Sequence, residues 1–353
     1  MAGVTPPRPP SFRKQPQLPI WNKISSGLKN RSRKWFIDRA ERLGVPWTAV
    51  TNVYKENTSF YRCVHLKEKL ENTELQYPNY YTKPFHGYDH GNLNWQAAFE
   101  AEAATLSISS NYWKEVDPYT SEQWLRNNIT QSIEIYRSLH VLPQPDNIVD
   151  IGCSIGISTE FLKNTYKNAH VWGLDLSPYF LAIASYRNEL YQHNIYYAHG
   201  NAERLPFSDN SLDIVTFQFV LHEVPQGPTV QMLNEVMRVL KPDGTIFIID
   251  LEPTKLKSTL SQSQFRRWAF EVTEPHIYGY YQQDLTETML SCGFRNIVKY
   301  SNDPLNSVWC ATKKDDHMYE LSNSLSSSTL PPENNTFLQN PPKPKPPIID
   351  LAA

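Results

Sequence analysis

The sequence predicts an α/β fold, a doubly wound and mostly parallel sheet of seven strands ending in a C-terminal β-hairpin and preceded by a helical, aromatic arm. Three observations predict it. The apolar run Ile148-Val-Asp-Ile151 stops at Gly152, and a helix-compatible stretch, Ile157 to Tyr166, follows Gly156, which is a strand, a Gly-bearing turn and a helix in succession. Strand and helix patterns then alternate: strand 148–151, helix 157–166, strand 170–175, helix 178–192, strand 195–199, strand 212–219, helix 228–240 and strand 245–251. Finally, 294–300 and 307–312 read as two strands paired as a hairpin, after a helix over Asp284 to Ser291 that stops near Gly293. Such alternation implies a Rossmann-like sheet with helices on both faces.

The first turn carries the ligand chemistry. Glycine lets backbone approach a ligand closely because it has no Cβ, and the helix start offers free N–H groups. Gly152-Cys153-Ser154-Ile155-Gly156 departs from the dinucleotide fingerprint, because Ser154 stands where a second glycine would admit a pyrophosphate. A ligand without phosphates, held by its ribose and an amino-acid tail, fits better than NAD or FAD. Asp175 closes the second strand, 19 residues after Gly156, where a carboxylate can accept two hydrogen bonds from a ribose diol.

Five segments, Val149-Asp-Ile-Gly-Cys-Ser-Ile-Gly156, Gly173-Leu-Asp-Leu-Ser-Pro178, Gly200-Asn-Ala-Glu-Arg-Leu-Pro-Phe207, Leu212-Asp-Ile-Val215 and Leu240-Lys-Pro-Asp-Gly244, resemble the successive motifs of class I S-adenosylmethionine-dependent methyltransferases. The resemblance is greatest to the group related to quinone-biosynthesis methyltransferases and covers roughly residues 120 to 313. It implies that Gly152, Cys153, Ser154 and Gly156 hold the methionine end of S-adenosyl-L-methionine, Asp175 its ribose and Leu176 the adenine face. It implies that Asn201, Ala202 and Glu203 border the adenine, with Asn201 where the family has an acid. Asp150 orients the loop or meets the cofactor's ammonium, and Gln218 contacts the methionine portion. His222, after the fourth strand, is the candidate base, since imidazole titrates near neutrality; Glu223 ranks below it. Tyr281, with Tyr280, lies on the insert that often covers substrates in this family. A hydrogen bond to backbone is the plainer role for His222, and core packing for the two tyrosines. No catalytic triad is expected, because a reactive sulfonium donor mostly needs alignment.

The rest of the chain divides accordingly. Residues 1–19 hold six prolines and read as a disordered tail. Residues 20–115 form the arm, with Trp35, Phe36, Ala40 and Leu43 on one helical face. Within the arm, Tyr77, Tyr80, Tyr81, Phe85, His86, Tyr88, His90 and Trp95 fall in 19 residues. This aromatic segment either covers a flat, apolar substrate or simply docks the arm on the domain. Residues 116–313 form the catalytic domain, entered through a helix bearing Leu125, Ile129, Tyr136 and His140. It includes an amphipathic insert, Leu256 to Val272. Residues 314–353 read as a Pro/Ser-rich disordered tail.

Composition narrows the partners. Net charge is −2, so no DNA partner is expected. Cys63, Cys153, Cys292 and Cys310 show no zinc spacing, and no metal is expected. No apolar run reaches the ~20 residues of a membrane span. The expected activity is methyl transfer to a small organic acceptor, on oxygen or carbon. The alternatives are an RNA or protein methyltransferase using the basic N-terminal segment, and a cofactor-binding scaffold without turnover. The expected compartment is the cytoplasm. Eight Lys or Arg from Arg8 to Lys34, with no acid before Asp38, leave a plastid or other organelle as the alternative.

Overall fold

In the computed structural model, the described residues are 26–84, 86, 88–261, 264, 267, 270 and 274–313. Both predicted tails, most of the second half of the 256–272 insert and Phe85 lie outside them.

The chain opens with helices α1 (Ser26–Arg42), α2 (Trp47–Lys55), α3 (Asn57–Leu70), α4 (Trp95–Ser109) and α5 (Pro118–Leu139). The sheet domain continues with β1 (Asn147–Ile151), α6 (Ile157–Thr165), β2 (His170–Asp175), α7 (Pro178–Tyr191), β3 (Tyr196–His199), β4 (Leu212–Gln218), α8 (Gln226–Val239) and β5 (Leu240–Leu251). After α9 (Pro253–Ser261) come α10 (Ile277–Gln282), α11 (Leu285–Ser291), β6 (Phe294–Ser301) and β7 (Asn306–Lys313).

The seven strands lie in the order β3-β2-β1-β4-β5-β7-β6. Strands β1 to β5 pair in parallel, whereas β7 runs antiparallel to both β5 and β6. The chain order reverses between β1 and β4, and in open α/β sheets ligands sit beyond the strands' carboxyl ends at such a point.

The period-two rule accounts for the two faces of the sheet. Ile148, Val171, Ile214, Phe247 and Ile249 pack on one side against Leu125, Ile129, Ile133 and Tyr136 of α5. Val149, Ile151, Val215, Phe217, Ile246 and Ile248 pack on the other against Met232, Leu233 and Val236 of α8. Helix α8 ends at Val239, one residue short of the expected 240, because Leu240 is already extended (φ −65°, ψ 137°) and pairs with Leu212.

The arm is several helices packed on the domain. Ala40 is buried, while Trp35 and Phe36 stay exposed; Phe36 meets Trp47 edge-on, with ring centroids 5.5 Å apart. Arg187 of α7 ties the arm down. Its guanidinium donates to both oxygens of Glu160 at 2.8 Å and to Glu102 of α4 at 2.8 Å. All three side chains are largely buried, so removing one would leave a costly unpaired charge. No helix among the described residues is long and apolar enough to cross a membrane.

Candidate active site

The turn after β1 needs its glycines. Gly152 sits at φ +69°, and a Cβ there would come within 2.5 Å of Val220 Cγ2. Gly156, at φ +85°, starts α6, and a Cβ there would run into the Tyr197 hydroxyl. Ser154 accepts the same left-handed region at φ +51°, which aims its N–H at Asp175 Oδ2, 2.8 Å away. Asp175 Oδ1 accepts the Ser177 N–H at 2.7 Å. Burial pushes the Asp175 carboxyl up to about 6, against the pull of those two N–H groups.

Asp150, fully buried, accepts hydrogen bonds from the hydroxyls of Ser158 (2.5 Å), Thr159 (2.8 Å) and Thr216 (2.7 Å). It joins β1, the first turn of α6 and β4, so of its two expected roles the geometry shows the bracing of the loop. Burial raises the Cys153 thiol well above its ordinary range, so it stays protonated.

A cavity of about 270 Å³ lies over this turn. Gly152, Cys153, Ser154, Asp175, Leu176, Ala202 and Gln218 line it. Asn201 and Glu203 are not among its lining residues: the Asn201 side chain accepts the Glu203 N–H at 2.9 Å, and Glu203 accepts the Tyr80 hydroxyl at 2.8 Å. Gln218 in turn accepts a hydrogen bond at 2.7 Å from Arg126, which also lines the cavity.

Sequence reasoning missed Arg126. Its Nε donates to Glu122 at 2.7 Å and its guanidinium lies 5.6 Å from the Phe219 ring centre. The signal was present: Glu122, Leu125, Arg126 and Ile129 share one face of α5 by the i, i+3, i+4, i+7 rule, so two charges interrupt the apolar stripe. Charges almost never occupy such positions unless paired.

The facing wall comes from distant parts of the chain. Tyr80, Tyr81, His86 and Asn92 of the arm line the cavity together with Glu223 and His276. His86 Nε2 lies 3.1 Å from Glu274 Oε1 and 3.4 Å from Glu223 Oε1. Burial opposes the charged imidazole of His86, but Glu274 and Glu223 raise its pKa. Burial also raises Glu223, to about 7, while His86 and His222 hold it down. His276 is pushed down to about 4 by burial and by Lys83, so it is neutral above that pH.

His222 is not among the cavity-lining residues. Its Nδ1 is 2.6 Å from Oδ1 of fully buried Asp250, whose Oδ2 accepts the N–H groups of Leu221 (2.8 Å) and His222 (3.2 Å). Burial would lower the His222 pKa, yet the Asp250 carboxylate outweighs it and lifts the value to about 10. Its Nε2 stands 4.0 Å from Glu223 Oε1. Tyr280 is buried and donates to the Leu251 carbonyl at 2.7 Å. Tyr281 packs against the core and under Lys257, 5.2 Å from the ring centre, and does not line the cavity.

Residues 149–248, which include the glycine turn, Asp175 and Gln218, match the family model described as a methyltransferase domain. This span is a methyltransferase domain. The demethylmenaquinone methyltransferase of Listeria welshimeri is 40% identical over 106 residues, 30% of this chain and 44% of that protein. The demethylmenaquinone methyltransferase of Bacillus licheniformis is 37% identical over 110 residues, 31% of this chain and 46% of that protein. The chain thus spans less than half the length of these curated relatives. Among solved structures, a putative S-adenosyl-L-methionine-dependent methyltransferase from Methanococcus maripaludis overlaps 64% of this chain and 95% of its own, with 16% identity and a TM-score of 0.45. Haemonchus contortus phosphoethanolamine N-methyltransferase 2, in complex with S-adenosyl-L-methionine, overlaps 53% of each chain with 19% identity and a TM-score of 0.39.

Proposed function

We propose that this protein transfers a methyl group from S-adenosylmethionine to oxygen or carbon of a small organic acceptor. One observation carries the reading. A carboxylate suited to a ribose diol, Asp175, and a buried guanidinium suited to an amino-acid carboxylate, Arg126, line the same cavity as the glycine turn. Asp175 keeps acceptor capacity beyond its two backbone partners, since a carboxylate offers about four lone-pair sites. Arg126 presents a planar fork that pairs with a carboxylate in bidentate fashion. Gly152 lets the turn pack against Val220, where a Cβ would clash.

S-adenosylmethionine supplies an electrophilic methyl group on a sulfonium. The chain's own residues hold the donor, exclude water and receive the acceptor's proton. Glu223 is the proposed proton acceptor, because it lines the cavity and titrates near neutrality, where a general base is most effective. His222 supports it from behind as an imidazolium anchored on Asp250. The apolar and aromatic remainder of the cavity, including Ile108, Phe219, Val224 and Met232, suits a flat, apolar ring. The names of the curated relatives make a quinol-type ring the first acceptor to try.

Calorimetry tests the donor half. S-adenosylmethionine and S-adenosylhomocysteine are expected to bind and NAD is not; the reverse pattern would overturn the reading. Incubating the protein with methyl-labelled S-adenosylmethionine and reduced 1,4-naphthoquinone, alongside a metabolite extract, tests the transfer. Label in a small molecule is the expected result.

A further inference from the structure

The aromatic arm reaches the carboxyl ends of three successive strands. Beyond β2, the Asn92 carbonyl accepts the Ser177 hydroxyl at 2.7 Å. At the end of β3, the His199 ring takes the Asn72 N–H at 2.9 Å and lies 3.2 Å from the Tyr77 hydroxyl, while Tyr80 holds Glu203 just beyond. Beyond β4, His86 stands against Glu223. These anchors span the mouth of the glycine turn. Docking alone would require apolar burial; it would not require a polar link at each strand end on which a donor pocket depends.

Tyr81 occupies the middle of this span. Its ring stacks on Tyr77, with centroids 6.3 Å apart and planes 6° from parallel, and Tyr77 is fixed by His199. The Tyr81 ring is therefore held in place from behind. Its hydroxyl faces the Asp175 carboxylate and the Asn92 side chain, and it lines the cavity beside Asp175 and Ser154.

We propose that Tyr81 is a donor-binding residue, its ring walling the ribose side of the cavity and its hydroxyl completing the polar contacts at Asp175, with arm residues 72–84 as the lid that closes on the donor. The proposal rests on the donor-site reading above. It assigns the lid to the helical arm, outside the matched domain of residues 149–248, so the domain alone would hold its donor weakly. Contacts made by the ring and hydroxyl near Asp175 act on the nucleoside, not on the amino-acid tail. Loss of Tyr81 should therefore weaken S-adenosylhomocysteine and 5′-methylthioadenosine, which lacks that tail, by the same factor.

The experiment uses the full chain. Calorimetry with S-adenosylhomocysteine and with 5′-methylthioadenosine is run on wild type, Tyr81→Phe and Tyr81→Ala, with hydrogen exchange followed in peptides from residues 72–84. A tenfold to hundredfold weaker dissociation constant is expected for Tyr81→Ala and about threefold to tenfold for Tyr81→Phe, equal for both ligands. Exchange in 72–84 should slow when S-adenosylhomocysteine saturates the wild type. Wild-type affinity in Tyr81→Phe together with unaltered exchange would overturn the proposal, as would a loss confined to S-adenosylhomocysteine. Those readouts decide the question even if Tyr81→Ala does not fold. Wild type that binds neither ligand would instead overturn the donor-site reading itself.

Discussion

The two walls of the cavity are built in different ways. The glycine turn of the proposed donor wall is local and stiff: Gly152 to Gly156 form one turn, Asp150 braces it through three hydroxyls, and Asp175 fastens it to the neighbouring strand end. The proposed acceptor wall is assembled from His86 of the arm, the loop after β4 and the segment before α10, and charged groups hold these together: His86 with Glu223 and Glu274, His222 with Asp250. One wall presents fixed hydrogen-bonding groups, suited to the proposed donor. The other gathers titratable groups whose charges depend on one another, as expected where a proton has to move.

Glu223→Gln should break this contrast most sharply. The amide keeps the shape of the side chain but cannot take a proton, so turnover should fall by ~10²–10⁴-fold while S-adenosylhomocysteine binds as in wild type. Wild-type turnover should rise with pH through about 7, as the Glu223 carboxyl ionises, and the variant should lose that limb. Label transfer from methyl-labelled S-adenosylmethionine measures both. A rising limb that persists in Glu223→Gln would return the proton to another group, with His86 the nearest candidate at 3.4 Å and His222 next at 4.0 Å.

The donor wall makes the next largest effect. Asp175→Ala should weaken S-adenosylhomocysteine by roughly tenfold to hundredfold, the equivalent of about 1.5–3 kcal/mol for hydrogen bonds to a charged group. The ribose diol needs an ionised acceptor, and burial has raised this carboxyl to about 6. Affinity in the wild type should therefore decline as pH falls through 6, and Asp175→Ala should lack that decline. For the ligand-free fold the sign is opposite: a buried acid with a raised pKa costs stability as pH rises from its ordinary value of 3.8, and the cost is complete above about 6. Equal affinity at pH 5 and pH 8 in the wild type would remove Asp175 from the ribose.

How far the sequence could be read follows from the same contrast. The seven strands, the C-terminal hairpin and the glycine turn were legible because each rests on residues adjacent in the chain or on neighbouring strand ends. The position of Asp175 beside the turn was legible because parallel pairing of β1 and β2 sets Asp150 opposite Gly173 and the two strand ends side by side. Asn201 was assigned by motif position, whereas the structure turns its side chain back onto the Glu203 N–H. The acceptor wall was not legible, because no pattern within one segment says that His86 meets Glu274, 188 residues further along. Arg126 stood between these cases, a charge set into an apolar stripe whose partner, Gln218, lies 92 residues away.

The His222–Asp250 pair sharpens the contrast with the smallest effect. The structure holds the imidazole Nδ1 2.6 Å from a carboxylate with no exposure to solvent, and the His222 pKa rises to about 10 from an ordinary value of 6.5. The folded state then keeps a proton that the unfolded state releases across that window. By linkage, the stabilisation is complete below pH 6.5 and is lost as pH rises towards 10. Melting temperature should accordingly fall by a few degrees more between pH 7 and pH 10 in wild type than in His222→Gln. Glutamine can still donate to Asp250, so the variant keeps a hydrogen bond while losing the titration. It should melt lower than wild type at pH 7, because Asp250 is left buried without its counter-charge, and the gap should narrow as pH rises. A gap that stays constant from pH 7 to pH 10 would show that His222 is neutral in the fold. The general-base role would then fall to His222 itself, with Asp250 orienting the ring.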